Sequence, residues 1–205
     1  MFELELAILV VIISAVVGPL LVARYRHYLN SDKKNNPIKS AIKTNMLVED
    51  QMEQLQDELD ACRIWISQFH NGGNFYPTGK SIQKFSIFYE IKKTGVISLN
   101  EIFKNIPVSL FSKPMAHLYS DGELLIPNYS KEDKFGLRGF AESTSAKSTY
   151  LFALNSINDE FMGTLGIEYC NRVKRLNEEQ LDEARNKAIA IGTMLSAYLY
   201  DGLKK

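Results

Sequence analysis

Residues Leu6 to Ala23 form an uncharged run rich in Leu, Ile and Val. As a helix, a run of about 18 residues spans roughly 27 Å, close to the thickness of a bilayer's hydrocarbon core. Gly18 and Pro19 sit near its end, where a membrane helix tolerates a kink. A cleaved signal peptide is the rival reading. It needs a basic start and a small-residue cleavage site. Here Glu3 and Glu5 precede the run, and Arg24, Tyr25 and Arg26 follow it. The expectation is one transmembrane anchor with its basic flank over residues 1–29. Arg24, Arg26, Lys33, Lys34, Lys39 and Lys43 all lie just beyond the span. By the positive-inside rule, the bulk of the chain then lies in the cytoplasm, behind a single pass through the inner (plasma) membrane. The same cluster offers a contact to anionic lipid.

Charge and cysteine usage narrow the partners. Lys plus Arg and Asp plus Glu are equal at 24 each, so no basic excess recommends nucleic acid as a partner. Cys62 and Cys170 are far apart and make no metal-binding spacing. They read as reduced thiols, with a single disulfide as the alternative. His27, His70 and His117 are scattered, which makes a poor metal set.

After a polar linker over residues 30–38, periodicity predicts a long helix from about Lys39 to Cys62. Ile38, Ala41, Asn45, Val48, Met52, Leu55, Leu59 and Cys62 recur in steps of three and four, a heptad seam with one polar position at Asn45. A closing helix repeats the pattern through Leu181, Ala184, Ala188, Ile191, Leu195 and Tyr198. Asn177 and Gln180 are spaced as a capping box at its start. Between the helices the period changes to two. Strands are expected at Arg63–Phe69, Phe85–Ile91, Leu124–Ile126, Tyr150–Leu154 and Phe161–Cys170, the last two joined by a polar hairpin loop. Leu110 to Ser120 reads as a short helix. The fold class is α+β: an antiparallel sheet flanked by helices over residues 39–205, preceded by the anchor.

The last third, from Tyr150 to Leu199, carries a strand, a turn, the segment GTLGIEY (Gly163 to Tyr169), an Asn, an acidic stretch and a long helix. This ending, together with DGELLIPN from Asp121 to Asn128, resembles a GAF domain, a relative of the PAS fold. The resemblance runs from roughly Ala41 to Tyr200. QFHNGGNFYPTGKSIQKFSIFYE, from Gln68 to Glu90, resembles a variant with an HNGG motif associated with small membrane-anchored proteins, phage-encoded ones included. The resemblance implies a sensory, ligand-binding or dimerising module and no enzymatic reaction. Three better-defined GAF activities fit poorly. The cyclic-nucleotide signature is met only in part by Asn171-Arg172 and Asp182-Glu183. Cys62 and Cys170 do not supply the several pocket cysteines of the methionine-sulfoxide-reductase type. Neither is identifiable as a bilin-attachment cysteine.

Candidate ligand-binding residues are His70, Asn71, Gly72, Gly73, Tyr76, Lys80 and Glu168. Two glycines beside His70 allow an anion-binding nest of N–H groups under an aromatic lid. A structural turn, with His70 bonded to backbone, is the competing reading. Glu168 alternates with Thr164 and Gly166, so its carboxylate faces either a ligand cation or Lys80, or else solvent at a strand end. The hydroxyl-rich run Ser143, Thr144, Ser145, Lys147, Ser148 and Thr149 reads as a loop, with a polar ligand contact as the minor alternative. The helix seams imply a homodimer through Asn45, Val48, Met52, Leu55, Leu59 and Leu195. The competing reading docks each helix on its own sheet. The expected function is a membrane-tethered ligand-binding sensor that signals through a separate downstream protein. The alternative is a GAF-like scaffold that dimerises and recruits a partner without a ligand. The sequence names no cofactor.

Overall fold

The computed structural model describes residues 37–132 and 135–201. The expected anchor, Leu6 to Ala23, and the basic residues Arg24, Arg26, Lys33 and Lys34 lie outside them. Among the described residues, no helix is long and apolar enough to cross a membrane. The chain divides into two compact units, residues 1–42 and 43–205. Of the first, only residues 37–42 are described; they are helical.

The elements run α1 (Pro37–Leu59), β1 (Arg63–Asn74), β2 (Ser81–Lys92), β3 (Ile106–Pro107), a 3-10 turn (Val108–Phe111), α2 (Ser112–Asp121), β4 (Glu123–Ile126), α3 (Arg138–Ser143), β5 (Ser148–Asn155), β6 (Phe161–Tyr169) and α4 (Glu178–Asp201). The strands form one six-stranded sheet in the order β3-β2-β1-β6-β5-β4, every neighbouring pair antiparallel. The architecture is the expected α+β sheet flanked by helices, with β3 and α3 as additions.

Strand alternation divides the side chains between two faces. Ile64, Ile66, Tyr150, Phe152, Leu154, Leu165, Ile167 and Tyr169 point to one face and form the main core. Val48, Met52, Leu55 and Leu59 of α1 and Leu181, Ala184, Ala188, Ile191 and Leu195 of α4 pack into the same core. This corrects the reading of a dimer seam. Val48, Met52, Leu55, Leu59 and Leu195 are buried within the single chain, because a stripe in steps of three and four suits a sheet as well as a second helix. Asn45 accepts a hydrogen bond from the Tyr89 hydroxyl at 2.7 Å, so its polar group also has an intrachain partner. Met46, Leu47, Ile189 and Leu199 remain exposed on these helices.

Both helices end as local chemistry dictates. Asp60 takes a left-handed conformation (φ 51°), and the Ala61 N–H closes α1 on the Gln56 carbonyl at 3.1 Å. At the start of α4 the expected capping box forms. The Gln180 N–H donates to Asn177 Oδ1 at 2.9 Å, and the Asn177 N–H donates to Gln180 Oε1 at 3.2 Å.

A bulge in β2 reverses its faces. Ser67 pairs with Ile87 while Ile66 pairs with Tyr89, leaving Phe88 as the extra residue. Ile87 consequently faces the second side of the sheet, and Tyr89 faces the helices. The second side is covered by the 3-10 turn, α2, α3 and their loops, through two smaller apolar clusters that meet at Trp65.

Cys62, just before β1, and Cys170, just after β6, are joined by a disulfide with Cα atoms 6.1 Å apart. This corrects the expectation of reduced thiols. β1 and β6 are antiparallel neighbours with Arg63 opposite Glu168, so the register brings together cysteines 108 residues apart in sequence.

Candidate functional site

The second face of the sheet holds a cavity. Its floor is made by alternate residues of the central strands: Trp65 and Ser67 from β1, Thr149 and Leu151 from β5, Thr164 and Glu168 from β6. Its roof is aromatic and aliphatic, with Phe103, Phe111, Met115, Tyr129, Leu137 and Phe140 from the covering elements. The cavity has a volume of about 60 Å³, room for a few waters.

Three hydroxyls on this floor have no hydrogen-bond partner within the protein, so a bound molecule or water must satisfy them: Ser67 Oγ, Thr149 Oγ1 and Thr164 Oγ1. Each residue is at most 3% exposed. A buried hydroxyl without a partner costs about 1–3 kcal/mol, and native proteins contain few of them. Here three line one cavity. They are placed by register: Ser67 lies directly opposite Thr164, and Thr149 directly opposite Glu168. Between the two pairs, Trp65 lies across Gly166. A Cβ on Gly166 would stand 2.1 Å from the indole ring, so only glycine admits the side chain there.

Glu168 is the one carboxylate on the lining. Its charge is balanced by Arg63, whose Nε donates to Glu168 Oε2 at 2.9 Å and whose second guanidinium nitrogen donates to the same oxygen. Trp65 Nε1 donates to Glu168 Oε1 at 3.2 Å. The partner of Glu168 is therefore Arg63, neither Lys80 nor solvent. Among the described residues, the lining carries no Lys, Arg, His or Cys.

The other expected ligand residues lie elsewhere. His70, Asn71, Gly72 and Gly73 belong to β1, which runs on through Asn74 and pairs with β2 as a hairpin arm, so they form no anion-binding loop. His70 Nε2 is 2.9 Å from Ser86 Oγ, and Asn71 Oδ1 accepts from the Ser81 hydroxyl at 3.1 Å. The Lys84 side chain lies over Gly72, occupying the space where a Cβ would stand. Tyr76 is 97% exposed and Lys80 is exposed at the hairpin turn. None of residues 70–80 lines the cavity. Of the proposed set, only Glu168 does.

Sequence reading missed Ser67, Trp65 and Thr164 as site residues, and it placed Thr149 in a loop. Thr149 is a strand residue. Ser148 beside it is also buried, its hydroxyl donating to the Pro127 carbonyl at 2.7 Å and accepting from the Lys174 N–H at 2.8 Å. The usable signal was alternation: Ser67, Thr149 and Thr164 alternate with Ile66, Tyr150 and Leu165, which face the main core.

No family model and no curated protein matches this sequence. Solved structures do. The GAF domain of PixJ from Thermosynechococcus elongatus, in its blue-light-absorbing form, aligns with a TM-score of 0.63 at 12% identity, over 80% of this chain and 92% of its own. A phycocyanobilin-bound GAF domain from a cyanobacterial phytochrome aligns with a TM-score of 0.63 at 13% identity, over 80% and 90%. A far-red cyanobacteriochrome photoreceptor aligns with a TM-score of 0.59 at 12% identity, over 91% and 100%. At such identities the likeness speaks for the fold, and the fold of this chain is that of a GAF domain.

Proposed function

We propose that this chain is a single-pass membrane protein whose GAF-like domain binds a small ligand and relays its presence to a separate protein. The carrying observation is the cavity floored by three buried hydroxyls with no partner within the protein. An apolar pocket with a few convergent polar groups is the usual form of a small-molecule site. A ligandless scaffold would gain stability by filling this space, so the cavity counts against that alternative. A covalently attached bilin is not proposed. The lining has no cysteine, and Cys62 and Cys170 are bonded to each other.

Anchoring rests on the uncharged run Leu6 to Ala23 and its one-sided basic flank. That flank argues for a cytoplasmic domain at the inner membrane. The disulfide argues the other way, since disulfides persist mainly in oxidising compartments. A reporter fused after Lys205 decides: activity only in the cytoplasm supports the proposed orientation, and activity outside overturns it. We also propose a homodimer. Tethering two copies in one bilayer raises their effective concentration, and exposed Met46 and Ile189 offer apolar contact.

Native mass spectrometry of the full chain in detergent tests ligand and assembly together. The reading expects a mass in excess of two bare chains, with a small molecule released on denaturation. A bare mass that does not change after incubation with the small-molecule fraction of its own cells contradicts it.

A further inference from the structure

Resting on that ligand-binding reading, we infer that the cavity, once its aromatic roof gives way to widen it beyond its present volume of about 60 Å³, takes an uncharged, flat ring ligand with a hydrogen-bonding edge, and that it rejects anions and cations. The inference follows from the charges around the floor. An anion would enter a lining that offers no cation among the described residues and that already contains the Glu168 carboxylate. Desolvating a charge without a partner is far costlier than desolvating a neutral polar group. A cation fares no better, because the fully buried guanidinium of Arg63 already balances Glu168.

Flatness follows from the walls. The Trp65 indole lies on the floor over Gly166, and Phe103, Phe111 and Phe140 stand in the roof. Aromatic surfaces of this kind favour stacked or edge-to-face rings. The hydrogen-bonding edge follows from the orphans. Ser and Thr hydroxyls both donate and accept, so they match an edge that carries a donor beside an acceptor, as a carboxamide or a ring lactam does. Glu168 Oε1 receives only the Trp65 N–H and retains capacity to accept from a ligand N–H. Thr164 and Glu168 stand four residues apart on β6, roughly 13 Å along the strand, so the two polar pairs flank Trp65 and the edge of a single ring lying on it meets one pair or the other.

Trp65 is the only tryptophan of the chain, so its emission reports directly on this cavity. The full-length protein in detergent is titrated with matched probes that differ in charge: nicotinamide against nicotinate, and benzamide against benzoate and benzamidine. The amides are expected to change Trp65 emission saturably. Their charged counterparts should bind about tenfold more weakly or worse. Of Thr149→Val and Thr164→Val, which replace a hydroxyl by a methyl of similar shape, the one at the pair the amide meets should weaken it about tenfold. Because the hydroxyls bond to no protein group, neither substitution should lower the unfolding midpoint by more than a few degrees, so a loss of binding is not a loss of fold. If a carboxylate or the amidinium binds as tightly as its amide, the inference is wrong while the ligand-binding reading stands. Amide binding unaffected by both substitutions also overturns it. If no probe of any charge gives a saturable change, the inference falls. If the small-molecule fraction of its own cells gives none either, the ligand-binding reading falls with it.

Discussion

Arg63 and Glu168 face each other across the β1–β6 pairing, and their side chains form an ion pair that is almost wholly closed to solvent. The pair lies under one end of the cavity and ties down the carboxylate that would otherwise dominate its chemistry. Removing either partner strands a buried charge. Arg63→Met is expected to destabilise the protein by about 3–5 kcal/mol, with a smaller loss for Glu168→Gln, which keeps a hydrogen-bonding side chain but leaves the guanidinium uncompensated. The double variant R63M/E168L should recover much of that loss. Urea unfolding measures all three; single-variant losses under about 1 kcal/mol would mean the pair is not buried as described.

Gly166 is the seat of Trp65. Gly166→Ala places a methyl inside the space held by the indole. The expected cost is about 1–3 kcal/mol, the usual range for overpacking a filled site. The ring has to move, so the emission maximum of Trp65 should shift in the folded variant. An unchanged spectrum with unchanged stability would refute the stacking of Trp65 on the floor.

Tyr169 gives the fold an alkaline limit. Burial pushes its phenol pKa above the ordinary value of 10.0, with Tyr150 adding to the effect. Its hydroxyl donates to the Leu59 carbonyl at 2.8 Å, at the end of α1. The folded state favours the neutral phenol. Its contribution is therefore complete below pH 10 and is lost as the pH rises through 10 toward the raised value. Stability measured from pH 8 to 11 should fall more steeply in the wild type than in Tyr169→Phe. Parallel curves would rule out this linkage.

The Cys62–Cys170 disulfide closes a loop of 108 residues around β1 and β6. In the chain-entropy account, a loop of this length contributes about 4–5 kcal/mol. The variant C62A/C170A should lose an amount of that order in guanidinium unfolding, and a reducing agent should lower the wild-type midpoint without affecting the variant. If reduction leaves the wild type unchanged, the cysteines are not bonded in the protein as purified.

Much of the fold was legible because periodicity reports burial. The alternation at Arg63–Phe69 and Tyr150–Leu154 marks strands that do alternate between a helical face and a cavity face. The Asn177 capping box was readable from spacing alone. What was not legible required knowing which strands are neighbours. A stripe through Val48, Met52 and Leu55 looks the same whether it meets a sheet or a second copy, and here it meets the sheet. The convergence of Ser67, Thr149 and Thr164 arises only once β1, β6 and β5 lie side by side. The HNGG segment attracted attention because glycine pairs and histidine look chemical in isolation. In the structure it is a hairpin arm, and its polar atoms bond mainly to β2, to Ser81, Gln83 and Ser86. The unpartnered groups were the plain hydroxyls of the central strands.

The central claim is that these hydroxyls are kept for a ligand. Unfolding midpoints of the full-length wild type and of T149V/T164V, each with and without the small-molecule fraction of its own cells, test this most directly. The account predicts an empty variant that melts close to the wild type, since the two hydroxyls removed bond to no protein group. It also predicts that the small-molecule fraction raises the wild-type midpoint by several degrees and leaves the variant where it was. A variant that melts well below the empty wild type, or a fraction that shifts both proteins equally, would contradict it.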